Sequence, residues 1–92
     1  MVGEIRPGQL VCSLAGRDRG KYYFVWRRID NRYVLVVDGR DKTLGSPKKK
    51  NLIHLQKHNF VSSAFVEGIN SGKISDSLIS RYLKEAISDR EE

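Results

Sequence analysis

The chain has 92 residues, 39% hydrophobic and 30% charged, with a formal net charge of +6. One domain of this size buries about 60–65% of its unfolded surface, which excludes a deep substrate pocket, and the composition excludes disorder throughout. Cys12 is the only cysteine, so no internal disulfide forms; no apolar run suits a signal peptide or a membrane span, and a cytoplasmic protein is expected.

In chain order, Arg6-Pro7-Gly8 breaks the chain before the first element. Gln9 to Leu14 alternates, with Leu10, Cys12 and Leu14 on one side and Gln9, Val11 and Ser13 on the other. Period two predicts a half-buried strand. A glycine-flanked turn follows, Gly16-Arg17-Asp18-Arg19-Gly20-Lys21. Residues 21–29 are rich in Tyr, Phe, Val and Trp, which favour strands, and Val25 is expected to point inward. Asp30-Asn31 joins this segment to 32–37 as a hairpin. Asp38-Gly39 is a second hairpin signal and predicts a short strand at 41–44. Ser46-Pro47 ends it, Lys48-Lys49-Lys50 reads as a loop, and 51–56 reads as the last strand.

Five short strands joined by tight turns predict a small barrel, closed so as to hide its edges. The barrel is expected over 1–58 and a C-terminal extension over 59–92. In that extension Asn59 to Ile74 has mixed character, broken by Gly68 and Gly72. Ser75-Asp76 can cap a helix, and Leu78, Ile79, Tyr82, Leu83, Ala86 and Ile87 recur at helical spacing. An amphipathic helix over 76–88 is therefore expected, its apolar face on the barrel or on a partner.

Charge is unevenly spread. Residues 1–58 carry 13 Lys/Arg against 5 Asp/Glu, and 59–92 carry 4 against 6. The basic part has strand periodicity, not that of a basic amphipathic helix, so nucleic acid is favoured over a membrane surface. Gly16 to Lys21 is not a phosphate-binding P-loop: it has three residues between its glycines, and Tyr22 follows the lysine. Its glycines let the backbone approach a sugar-phosphate chain, and Arg17, Arg19 and Lys21 supply donors to phosphate, with Asp18 placed to hold Arg17 or Arg19. Taken alone, such a turn also fits a solvated surface; Arg28, Arg40, Lys42, Lys48, Lys49 and Lys50 in the same stretch shift the balance towards an anionic partner. Aromatics in barrel strands are usually core, and Tyr22 and Trp26 are the ones placed to stack on bases. His54 and His58 lack further ligands nearby, so no metal is expected; His54 reads as structural or RNA-facing. Cys12 reads as core filler. No catalytic constellation stands out, and neither an enzyme nor a cofactor is expected.

Four blocks, Gly8-Gln9-Leu10-Val11, "SLAGRDRGK", "RYVLVVDG" and "PKKKNLIHLQ", together resemble the KOW-domain ribosomal proteins over residues 8–56. The likeness is to the large-subunit protein fourteen-e group and its small bacterial relatives. It implies an SH3-like barrel that binds RNA through the loop between its first two strands, which maps onto Gly16 to Lys21, and through the lysine block at 48–50. It implies ribosomal RNA as partner, for a ribosomal or accessory protein. The alternative is an SH3-like adaptor that binds protein through Leu78, Tyr82 and Leu83 of the helix.

Overall fold

The computed structural model describes residues 5–90, with no account of the side chains at 89 and 90. Five strands form one antiparallel sheet: β1 (Gln9–Ser13), β2 (Tyr22–Arg28), β3 (Tyr33–Val37), β4 (Lys48–Asn51) and β5 (Leu55–Val61). Their spatial order is β4-β3-β2-β1-β5. A 3₁₀ turn at Leu52–His54 links β4 to β5, and two helices follow, α1 (Ser63–Ser71) and α2 (Asp76–Arg90). No ladder joins β4 to β5, so the sheet is not closed. It nevertheless bends: Lys50 on β4 reaches the Ala15 carbonyl just beyond β1, at 3.2 Å. No helix is long and apolar enough to cross a membrane, among the described residues.

The sheet buries both faces. On one, Val11, Tyr23, Val25, Val34 and Val36 pack with Ile5, Leu52 and Leu55. On the other, Leu10, Phe24 and Val37 meet Phe65 of α1 and Ile79, Leu83 and Ala86 of α2. Val25 is fully buried, as expected. β1 is not the half-buried strand its alternation predicts: Leu10 and Val11 belong to opposite cores, because the helices cover the second face. Each fully buried Leu, Val, Ile or Phe contributes about 1.5–3 kcal/mol, so the tail is integral to stability. Trp26 lies at the irregularity in β2, where Val25 pairs with Val36 and Arg27 with Leu35. Its ring meets Phe65 of α1 edge-on at 6.2 Å, and the side chain is half-buried against the helical layer.

Three elements differ from expectation. Residues 41–44 form no strand; only an isolated Thr43–Ser46 bridge appears, because the chain turns again there, with the Ser46 amide on the Thr43 carbonyl at 3.0 Å. The lysine block is β4 and not a loop: Lys48, Lys49 and Lys50 pair with Val36, Leu35 and Val34. The expected last strand at 51–56 divides between the end of β4, the 3₁₀ turn and the start of β5, which continues to Val61.

The segment of mixed character holds α1. Ser62 caps its start by accepting from the Phe65 amide at 3.2 Å, and the Gly72 and Lys73 amides close its end on the Ile69 and Gly68 carbonyls. Ser75 caps α2 by accepting from the Leu78 amide, and Asp76 accepts the Leu44 amide at 2.8 Å, tying the β3–β4 connection to the helix. Gly39 completes that junction. Its φ is +79°, and a Cβ there would run into the Asp76 carbonyl and the Ser80 amide.

Gly39→Ala is expected to cost more than about 2 kcal/mol in urea unfolding, from left-handed strain and collision with α2. Gly45→Ala, with open space around it, is expected to stay within about 0.5 kcal/mol.

Candidate functional site

The turn after β1 is built on two glycines with positive φ, Gly16 at +87° and Gly20 at +89°. Side chains rarely adopt that conformation, which fits the "G-x-x-x-G" pattern here. The Gly20 amide donates to Ser13 at 2.8 Å and the Lys21 amide to Asp18 at 2.9 Å, which closes the turn tightly.

Asp18 points into the protein and is 7% exposed. One carboxylate oxygen accepts from Ser13 Oγ and Lys50 Nζ, both at 3.0 Å. The other accepts from the Tyr23 hydroxyl at 2.9 Å, and Lys48 Nζ stands 3.3 Å away. Burial by itself would raise the pKa of this carboxyl; the bonds from Lys50, Tyr23, Ser13 and Lys48 outweigh it and hold the group well below the usual carboxylate range. Tyr23 is pushed well above the usual phenol range, first by burial and then by its bond to Asp18.

This corrects two expectations. Asp18 does not hold Arg17 or Arg19; it holds Lys50 and Lys48, and its oxygens are used inside the fold. The three lysines do not project together, because strand alternation separates them. Lys48 and Lys50 turn to Asp18, while Lys49 lies 4.4 Å from the centre of the Tyr33 ring.

The turn and β4 are nonetheless neighbours. Arg17, Lys21, Lys42 and Lys48 surround a shallow concavity of about 300 Å³, with Asp18, Tyr23 and Asp41 in its wall. Arg17 and Arg19 are exposed, and their guanidinium groups pair with no acid among the described residues. Lys21 bonds Asp41 at 3.0 Å, an exposed pair that adds little to stability. Arg40 is exposed in the same β3–β4 connection as Lys42. The Asp38 carboxylate accepts the Arg40 and Lys42 amides, both at 2.9 Å, and so shapes that connection.

Two other candidates do not line this concavity. Arg28 ends β2 at the opposite end from the turn, and its Nε donates to the Asp30 carbonyl; the six residue steps from Tyr22 span on the order of 20 Å. His54 is exposed on the 3₁₀ turn, not on a strand, with its carbonyl accepting from Leu14. His58 is half-buried, its ring 5.3 Å from that of Tyr22. Cys12 is partly buried, and burial raises its pKa, which disfavours the thiolate.

The sequence reading missed Lys84, which α2 brings beside Lys21 and Arg40. Only the docking of α2 puts it there, so its own surroundings in the chain carry no signal. Comparison of the sequence with protein-family models and with curated proteins finds no significant match.

Asp18→Asn is expected to destabilise the protein by about 3–5 kcal/mol, because Lys50 is left buried without its counter-charge. Adding Lys50→Met should recover part of that loss. The native Asp18 pKa lies below the unfolded value, so its contribution is present above about pH 4 and is lost as pH falls further. Urea titrations between pH 2 and 6 should show this slope in the wild type and lose much of it in Asp18→Asn.

Proposed function

We propose that the protein is a non-enzymatic RNA-binding module of the ribosome-associated, KOW-like type, working in the cytoplasm, and that its bent sheet is an SH3-like barrel. The strand order β4-β3-β2-β1-β5 and the reach of Lys50 to Ala15 support that reading of the sheet. The observation that carries the function is the gathering of Arg17, Lys21, Lys42 and Lys48 around one concavity, with Arg19 and Arg40 exposed on the same two connections. The carboxylates among them are engaged: Asp18 with lysines, Asp41 with Lys21, and Asp38 with backbone amides.

Such a surface matches phosphate oxygens of structured RNA. Guanidinium forks give directional pairs, and lysines add mobile point charge. Phosphate contacts position an RNA without reading its sequence. Ribosomal RNA is the partner this reading favours. The adaptor alternative has less support, because Leu83 lies in the core against the protein's own sheet, with Tyr82 packed beside it.

Binding to a ribosomal RNA hairpin, followed by fluorescence anisotropy across a salt series, tests the proposal. Log affinity should fall linearly with log salt, by about 0.7–0.9 per phosphate contact. Arg17→Ala with Arg19→Ala should weaken binding about tenfold or more and flatten that slope by about 1.5. Arg28→Ala should stay within about twofold. Binding by the double variant equal to wild type would remove the turn from the interface. The triple replacement of Lys48, Lys49 and Lys50 is a poor probe, since it also unpairs the buried Asp18.

A further inference from the structure

A second concavity, of about 270 Å³, adjoins the first and shares Lys21 and Asp41 with it. It lies between the β3–β4 connection and α2. Tyr22, Leu83 and Ile87 supply apolar and aromatic surface, and Lys21, Arg40 and Lys84 supply positive charge. Its two acids are already engaged, Asp41 by Lys21 and Asp38 by the Arg40 and Lys42 amides. The two hollows differ in chemistry. The first presents cations and the Tyr23 hydroxyl side, whereas the second pairs a flat ring and aliphatic carbons with a basic rim.

An apolar floor gains nothing from phosphate. It does gain from the face of a base, which stacks on an aromatic ring and on apolar side chains while nearby cations hold the adjoining phosphates. In a continuous duplex that face is covered by its neighbours. We infer that the groove between the β3–β4 connection and α2 takes one unpaired nucleobase, while the adjacent basic concavity holds the phosphate next to it. The preferred ligand is therefore RNA with a bulged or looped-out nucleotide, not an uninterrupted duplex. This inference rests on the RNA-binding reading and adds what kind of RNA is bound. Lys84 then has a role despite standing in the acidic tail: it closes the groove on the helix side.

The test uses the full chain with two RNAs, a perfect duplex and the same duplex carrying one bulged 2-aminopurine, at about 0.15 M salt, where screening confines charge effects to about 8 Å. The bulged RNA should bind about fivefold tighter or more, and 2-aminopurine emission should drop on binding. Tyr22→Leu should abolish most of that drop. Lys84→Gln, at an exposed position on α2, should reduce the bulge preference to about twofold. Equal affinity for the two RNAs, or emission unchanged on binding, overturns the base pocket and leaves phosphate binding standing. Failure of the wild type to bind either RNA in a salt-sensitive way overturns the RNA-binding reading itself.

Discussion

One buried carboxylate organises this molecule. Asp18 touches β1 through Ser13, β2 through Tyr23 and β4 through Lys48 and Lys50. An isolated carboxylate so deep would take up a proton or stay in water. With this set of donors it remains charged, and each donor is fixed in return. The same contact brings two segments far apart in the chain side by side. It is why a glycine-rich turn and a lysine-rich strand share one surface.

That arrangement also limits what the surface can offer. Lys50 is spent on Asp18, and Lys48 is half engaged there. The charge available to a partner therefore rests on Arg17, Arg19, Arg40 and Lys42, whose side chains hold no acid among the described residues, with Lys21 shared with Asp41. A count of basic residues overstates the unpaired charge, which lies more on the arginines of the two connections than on the lysine block.

The second organising feature is a sheet with two cores. A chain of 92 residues has little surface to spare, and covering the outer face with α1 and α2 adds burial that the sheet alone lacks. Gly39 and Asp76 join the β3–β4 connection to α2 at backbone contact. The C-terminal helix thus becomes a wall beside the basic surface, and the groove between them combines apolar floor with cationic rim. The two neighbouring hollows are thus built from different elements.

Much of this was legible from local pattern. The aromatic and β-branched run of β2, the hairpin to β3 and the helical spacing of Leu78 to Ile87 each record burial within one element, whereas the alternation of Gln9 to Ser13 marks a strand without showing that both its faces are buried. The glycine spacing of the turn likewise records its backbone. Other features left no local trace. Lys48-Lys49-Lys50 has poor strand propensity and pairs because β3 offers an edge. α1 carries an interior glycine, against which Ile74 folds. The sequence alone therefore determined the early strands, the last helix and a basic excess. Tertiary structure decided which charges are free, because Asp18 and Lys50 lie 32 residues apart, and neutralisation depends on distance in space, which no local pattern encodes.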